Sequence, residues 1–223
     1  MTPRESAKRT KGRSDVAPPF FPPAQESKAP FGAIAVEFGG SFPHPSVKLA
    51  PVLPEIVLLG RSNVGKSSLI NALFGRPLAR VSNTPGRTAL INVFRLPSLY
   101  LLDLPGYGFA KVSHKERDRY QALVRGVLLT RPTLTGVLWL LDLRHDPSAE
   151  DQVFADLLAE RGVPVLVALT KADKLPYGQR QRRHRGLVEA LRLPPEQVIV
   201  TSSTSGLGID ELGESLIALS EAG

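Results

Sequence analysis

Short apolar runs alternate with helix-like stretches along most of this 223-residue chain. The runs have the length of buried strands, whereas the stretches between them repeat apolar positions every three to four residues. Apolar runs occur near residues 56–59, 90–94, 99–102, 137–141, 163–169 and 198–200, and helical patterns near residues 67–74, 113–130, 148–161, 178–191 and 209–219. This alternation predicts a three-layer α/β domain with a mostly parallel sheet and helices on both faces.

The first 30 residues follow a different pattern. They contain six Lys or Arg and three acidic residues, the pairs Pro18-Pro19 and Pro22-Pro23, and no periodicity. Such a composition offers little apolar surface to bury. We therefore expect residues 1–30 to form a disordered basic tail and residues 31–223 to form one domain.

A glycine-rich loop connects the first apolar run to the first helical pattern, which begins near Ser68. Its sequence is Gly60-Arg61-Ser62-Asn63-Val64-Gly65-Lys66-Ser67. Between a strand and a helix this pattern indicates a phosphate-binding loop, because Gly60 and Gly65 let backbone N–H groups face phosphate oxygens. We expect Lys66 to contact the β- and γ-phosphates and the Ser67 hydroxyl to bind Mg²⁺.

Two downstream motifs follow strands and so lie at the same predicted edge of the sheet. Asp103-Leu104-Pro105-Gly106 offers a carboxylate to the Mg²⁺ shell, through water, and the Gly106 N–H to the γ-phosphate. Thr170-Lys171-Ala172-Asp173 offers the Asp173 carboxylate to the N1–H and N2–H₂ donors of guanine, with the Lys171 stem along the base. Adenine lacks that pair of donors, so the motifs predict a guanine-nucleotide site and argue against an ATPase.

Two further segments complete the predicted site. Ser202-Ser203-Thr204 follows the last strand, where its backbone is placed to contact the guanine O6. Residues 81–88 have the position of the first switch loop, whose threonine binds Mg²⁺ and senses the γ-phosphate. Thr84 and Thr88 both qualify chemically for that role.

Several of these stretches resemble the EngB family of bacterial GTPases. The most specific is Asp103-Leu104-Pro105-Gly106-Tyr107-Gly108-Phe109-Ala110-Lys111-Val112, and the others are residues 60–71, 84–88 and 141–145. The resemblance covers about residues 30–220 and implies a Ras-like G domain with one antiparallel strand. It also implies GTP hydrolysis, a role in late assembly of the large ribosomal subunit on its rRNA, and a link to cell division and septation.

The resemblance also assigns residues in the first switch loop. It implies that Thr88 is the magnesium ligand there, with Gly86 and Arg87 beside the nucleotide. Two features depart from the family: Tyr120 stands where the family tends to have Trp, and the proline-rich tail is longer than usual.

Two residues bear on the rate of hydrolysis. Tyr107 follows the DxxG motif, where Ras-type enzymes have a glutamine that orients water, and a phenol does not orient water in that way. We therefore expect slow intrinsic turnover, on the order of 10⁻⁴ to 10⁻² s⁻¹. Asn63 is a candidate K⁺ ligand beside the phosphates, as in similar GTPases with Asn at this position, or it satisfies backbone groups of its own loop.

The net charge of +7 is concentrated in two places, the tail and residues 174–195, where six Lys or Arg face one acidic residue. For both segments, a phosphate-backbone contact to rRNA and a passive solvated surface remain open interpretations. A further polar cluster comprises Asp142, Arg144, His145 and Asp146. We interpret this cluster as structural, because nothing in the sequence links it to the phosphates.

The composition of the chain excludes several other classes of protein. Without cysteine the chain cannot form disulfides or carry a prenyl or palmitoyl group, and Met1-Thr2 excludes N-myristoylation. No apolar run is long enough to span a bilayer, and no signal peptide is evident. We expect a cytoplasmic monomer without a membrane anchor. Two alternative functions remain: a cell-division regulator that acts through a protein partner without the ribosome, and a GTP-bound scaffold without turnover.

Overall fold

The computed structural model describes residues 20–21, 29–79, 90–108 and 114–221. Its strands are β1 (Phe20–Phe21), β2 (Val36–Phe42), β3 (Glu55–Gly60), β4 (Ile91–Arg95), β5 (Tyr100–Asp103), β6 (Leu134–Asp142), β7 (Val165–Thr170) and β8 (Val198–Val200). Its α-helices are α1 (Lys66–Phe74), α2 (His114–Thr130), α3 (Ala149–Arg161), α4 (Tyr177–Leu191) and α5 (Ile209–Glu221). Every predicted strand and helix is present, with ends that differ by two residues or fewer from the predicted ones, apart from β6, which starts three residues earlier.

The strands form one sheet in the order β1-β2-β4-β5-β3-β6-β7-β8. Strand β3 pairs in parallel with β5 and β6, and β7 and β8 extend the parallel half. Strand β4 is antiparallel to both β2 and β5. These pairings confirm the mostly parallel three-layer fold with an antiparallel strand, and β1 adds a second antiparallel strand at the edge.

The hydrophobic pattern did not predict β2. Two glycines, Gly39 and Gly40, stand in the middle of this strand, and the pairing register with β4 shifts between Phe38 and Gly40. Gly40 has a φ of 114°, which is open to glycine but not to most residues. An irregular strand of this kind, in which only Val36 is buried, produces neither an apolar run nor a clean period of two.

Most of the predicted tail, residues 1–19 and 22–28, lies outside the described residues. Phe20–Phe21 pairs with β2 at Val36 and Glu37. Pro30 packs directly on α5, because a Cβ at Gly213 would lie 2.2 Å from it. Within the segment predicted to be disordered, these few residues therefore contact the domain.

The core lies on both faces of the sheet, and every residue of β3 is buried. On one face Ile56 and Leu58 pack with the apolar sides of α1 and α5. On the other face Val57 and Leu59 pack with α2, α3 and α4. Because successive strand residues point to opposite faces, this strand supports both layers and fixes the loop that follows it. Within the described ranges, none of the helices combines the length and apolarity that a bilayer-spanning segment requires.

Candidate nucleotide-binding site

The loops that follow β3, β5, β7 and β8 meet at one edge of the sheet, because these strands are parallel. The predicted site residues in these loops are Gly60, Arg61, Ser62, Asn63, Val64, Gly65, Lys66, Ser67, Ser68, Asp103, Gly106, Thr170, Lys171, Asp173, Ser202, Ser203 and Thr204. Thr84, Gly86, Arg87 and Thr88 lie between residues 80 and 89, outside the described residues.

The phosphate-binding loop ends at a helix that is open to an anion. Gly65 precedes α1 with a φ of 107°, and Asn63 also has a left-handed φ, of 61°. The first turn of α1 has neither a side-chain cap nor an acidic residue. Its backbone N–H groups and the positive end of the helix dipole therefore suit a phosphate group.

The DxxG motif is held against the start of this loop by backbone contacts. The N–H of Ser62 donates to the carbonyl of Tyr107 at 2.7 Å, and the N–H of Tyr107 donates to the carbonyl of Gly60 at 3.2 Å. A Cβ at Gly106 would lie 2.8 Å from the Ser62 nitrogen. A larger residue at position 106 would therefore push the two loops apart.

Lys66 and Asp103 form an ion pair that is largely buried at the centre of the site. Asn92, which lies opposite Asp103 in the β4–β5 ladder, donates its side-chain N–H to the second carboxylate oxygen at 3.2 Å. No sequence motif points to Asn92, because it is an isolated asparagine in a strand. The pair keeps an ammonium group and a carboxylate together at the base of the phosphate-binding loop.

A cavity of about 180 Å³ lies between the phosphate-binding loop and the loops after β7 and β8. Its walls include the predicted residues Gly65, Ser68, Thr170, Lys171, Asp173, Ser203 and Thr204, together with Thr201, which was not predicted. These residues supply the carboxylate, the lysine stem and the backbone groups that the sequence assigned to guanine recognition.

Asp173 is held in place by two side chains. The Ser202 hydroxyl donates to one carboxylate oxygen at 2.7 Å, and Lys174 Nζ pairs with the other at 3.1 Å. The Ser202 hydrogen bond and the Lys174 pair hold the pKa of Asp173 below its ordinary value. The sequence assigned the backbone of Ser202 to the base, and the structure adds a role for its hydroxyl.

Thr170 and Lys171 tie the base-recognition loop to the phosphate-binding loop. The Thr170 hydroxyl donates to the carbonyls of Val64 at 2.7 Å and Leu141 at 3.1 Å. Lys171 Nζ donates to the carbonyl of Asn63 and forms an ion pair with Asp142 at 3.0 Å. Asp142 thus contacts the site through Lys171, a link that the sequence did not reveal.

The Tyr107 side chain points into the core. Its hydroxyl donates to Asp151 at 2.6 Å and accepts a hydrogen bond from the Trp139 indole at 2.9 Å. Burial and the neighbouring Asp151 raise the pKa of Tyr107 well above its ordinary value. Asp151 is fixed in turn as part of the capping box with Ser148, the residue that caps α3. Because Tyr107 is only 2% exposed, it does not reach a phosphate group at the loop surface.

The oxygens present fit Mg²⁺ better than a softer metal. Ser67 lies in the first turn of α1, and Asp103 supplies a carboxylate beside Lys66. Within the described ranges, no three His, Cys, Asp or Glu residues group in a way that could hold a metal ion. Magnesium commonly takes one or two protein oxygens together with water and substrate phosphates, which matches this sparse donor set.

The known proteins that are similar to this chain are GTP-binding proteins, in agreement with the predicted guanine-nucleotide site. The family described as "50S ribosome-binding GTPase" matches residues 55–171. A probable GTP-binding protein EngB of Gemmatimonas aurantiaca is 48% identical over 169 residues, which cover 75% of this chain and 83% of that protein. A protein of the same description from Streptococcus pneumoniae is 43% identical over 168 residues, covering 74% of this chain and 86% of that one.

The fold agrees as well. A crystal structure of a probable GTP-binding protein EngB superposes with a TM-score of 0.64 and 24% identity, over 75% of this chain and 98% of that one. The match confirms the Ras-like G domain that the resemblance implied. The identities of the curated relatives and the family match together show that the chain belongs to the EngB family of GTP-binding proteins and is a GTPase.

Proposed function

We propose that this GTPase is a Mg²⁺-dependent switch that acts on the large ribosomal subunit during its assembly. The observation that carries the nucleotide part is that the phosphate-binding loop lines one cavity together with the Thr170–Asp173 loop and is joined to the DxxG loop by backbone hydrogen bonds. The description of the matching family supports the ribosomal part. Ribosomal subunits are assembled in the bacterial cytoplasm, so we place the protein there. We attribute its link to cell division to the supply of ribosomes.

In this proposal each element of the site has a separate task. Backbone N–H groups of residues 60–68 and Lys66 bind the phosphates, and Lys66 stabilises charge that develops on them during hydrolysis. Asp173 accepts the two guanine donors, Lys171 covers the base, and the Ser202–Thr204 backbone contacts O6. The first switch loop, with Gly86, Arg87 and Thr88, completes the site around the γ-phosphate together with the Gly106 N–H.

Magnesium would be held by Ser67 and Thr88, with Asp103 in its outer shell through water. When bound, the ion neutralises phosphate charge and orients the β- and γ-phosphates. Lys66 pairs with Asp103 in this structure, so one carboxylate serves either the lysine or the hydrated metal. The lysine and the carboxylate are therefore already gathered beside the phosphate-binding loop.

The buried Tyr107 supports slow intrinsic hydrolysis. Its hydroxyl is committed to Asp151 and Trp139, so the position after DxxG offers no side chain to orient water. Turnover then depends on groups that come from elsewhere, such as the ribosomal partner or a monovalent cation.

Asn63 is our candidate for holding K⁺ beside the phosphates. Its left-handed φ of 61° equally explains why an asparagine stands there, since Asn tolerates this conformation better than most residues. Asn63→Gly keeps the conformation and removes the amide, so it separates the two roles. We expect faster hydrolysis in KCl than in NaCl at equal ionic strength, and no such difference in Asn63→Gly; equal rates in the unaltered protein would refute K⁺ stimulation.

The ribosomal part is tested by co-sedimentation of the purified full-length chain with large ribosomal subunits. Three samples carry GDP, a non-hydrolysable GTP analogue or no nucleotide. We expect most binding with the analogue, because an ordered first switch loop would complete the contact surface. No binding in any state would leave the GTPase intact and favour a cell-division regulator that acts through a protein partner.

A further inference from the structure

Asp142 lies at the end of β6, directly opposite Thr170 in the ladder with β7. Its carboxylate is nearly surrounded by donors. Arg144 donates to it from Nε at 2.9 Å, from a terminal nitrogen at 2.8 Å and from the backbone N–H at 3.1 Å. The fourth donor is Lys171, whose Nζ lies 3.0 Å from Oδ2.

These contacts make Asp142 a fixed negative charge. Burial alone would raise the pKa of Asp142, but hydrogen bonds from Arg144 and Lys171 outweigh it and hold the pKa well below its usual range. The carboxylate is therefore ionised at neutral pH and stays so as the pH falls through the range in which an aspartate ordinarily titrates. Its side chain is only 12% exposed, so solvent screens its attraction for the Lys171 ammonium weakly.

Lys171 adopts a backbone conformation that lysine rarely takes, with a φ of 62°. From there its stem crosses the phosphate-binding loop, and its Cε lies 3.8 Å from the position of a Cβ on Gly65. Its ammonium group has two anchors, the Asn63 carbonyl and the Asp142 carboxylate. The backbone thus holds one end of the stem and the two anchors hold the other. Between them the stem lies beside the 180 Å³ cavity that we assign to guanine and call the guanine cavity.

We propose that Asp142 is a positioning residue of the GTP site. It fixes the ammonium of Lys171, which keeps the lysine stem against the guanine cavity and the Asn63 carbonyl turned towards the ammonium. The proposal rests on the base-covering role of Lys171 in the proposed function. Asp142 acts on the base and not on the γ-phosphate, so it sets the affinity for GTP and GDP alike.

The direct test is Asp142→Asn, which keeps the shape of the side chain and removes its charge. We expect the Kd of both GDP and GTP to rise about tenfold and by the same factor, the usual effect of weakening one charge-assisted contact. The matched control is Asp146→Asn in the same loop. Asp146 is 88% exposed and pairs with Arg183, not with Lys171, so nucleotide affinity should not change.

A double-mutant cycle separates positioning from a merely structural role. Lys171→Met keeps an apolar stem and removes the ammonium, so Asp142→Asn should have no further effect on GDP affinity in that background. Full additivity of the two changes would overturn the proposal. Should Asp142→Asn fail to fold, Arg144→Gln loosens the same carboxylate, and its smaller loss of affinity should also vanish in Lys171→Met.

The same titrations distinguish this inference from the proposed function. Failure of the unaltered protein to bind GDP would contradict the nucleotide site as a whole. Tight GDP binding by the unaltered protein, with the same Kd in Asp142→Asn, would contradict only the role of Asp142.

Discussion

Tyr107 directly follows the DxxG motif in the sequence, but its side chain packs in the core. The hydroxyl links β6, through Trp139, to the first turn of α3, through Asp151. Its ring also packs on Phe154, with ring centroids 4.7 Å apart. The residue thus anchors the segment after DxxG and leaves the chemistry of hydrolysis to other groups.

Tyr107→Phe removes that hydroxyl and leaves a buried carboxylate and an indole N–H with one partner fewer. We expect the free energy of unfolding to fall by about 1–3 kcal/mol. The single-turnover rate of GTP hydrolysis should stay the same. Urea unfolding followed by the fluorescence of Trp139, the only tryptophan of the chain, measures the first quantity.

The control for this change is Tyr177→Phe, since Tyr177 is 73% exposed and its hydroxyl accepts a long side-chain hydrogen bond, of 3.3 Å, from Gln181. Its stability should match that of the unaltered protein. A Tyr107→Phe protein of normal stability whose hydrolysis rate drops would show that the hydroxyl acts in catalysis.

In the proposed function Asp173 recognises guanine through two donors, and inosine triphosphate lacks one of them, the N2 amino group. The unaltered protein should bind inosine triphosphate about tenfold or more weakly than GTP, as expected for one charge-assisted hydrogen bond. Asp173→Asn should weaken GTP binding by about 10² to 10⁴ and narrow the difference between the two nucleotides. Competition titrations against a fluorescent GDP measure both effects.

Asp210→Asn, an exposed change on α5, is the control for this experiment.

Because Ser202 and Lys174 lower the pKa of Asp173, its carboxylate stays charged above the ordinary pKa of 3.8. Its contribution to binding should therefore be constant from about pH 5 to 8 and be lost only as the pH falls through the lowered pKa. Unchanged GTP affinity in Asp173→Asn would refute the base-recognition role.

At the scale of elements, the sequence predicts the regular strands and helices because their apolar positions follow simple periods. Strand β2 escaped prediction because its pairing depends on a bulge at Gly39–Gly40 and on a partner strand about 50 residues away. The phosphate, DxxG and base-recognition loops could be placed because each directly follows a strand. Their contacts with one another depend on the completed sheet.

On and just before helix α4, fewer basic side chains are available to bind a phosphate than the sequence of residues 174–195 indicates. Arg180 donates to the Leu175 carbonyl, and Arg183 is bound to the Leu143 carbonyl and to Asp146. Lys174 pairs with Asp173. Arg182 and Arg185 are exposed one turn apart, which makes them the best candidates for phosphate contacts on this helix.

Reversing both charges with Arg182→Glu and Arg185→Glu should weaken binding to large ribosomal subunits. The slope of log affinity against log salt should become shallower by about 2, one for each phosphate contact that is lost. Lys48→Glu with Arg125→Glu changes the net charge equally at other exposed positions and serves as the control. An equal loss of affinity in both double variants would indicate a general charge effect and not a contact surface on α4.

At the scale of the whole molecule, the sheet brings together residues that are far apart in sequence. Asp142 meets Lys171 across 29 positions, and Tyr107 meets Asp151 across 44. No local pattern predicts such pairs, because they arise only once β6 lies between β3 and β7. The family and the candidate site residues could be predicted from motifs, whereas the residues that hold these candidates in place become visible only in the folded chain.

The central claim is that this GTPase responds to the large ribosomal subunit. The most direct test measures phosphate release from GTP over many turnovers, with purified large subunits, with small subunits as the matched control, and without either. Since Tyr107 leaves water unoriented, we predict slow release by the protein alone and an acceleration of about tenfold or more with large subunits only. Equal rates in all three samples would contradict the claim.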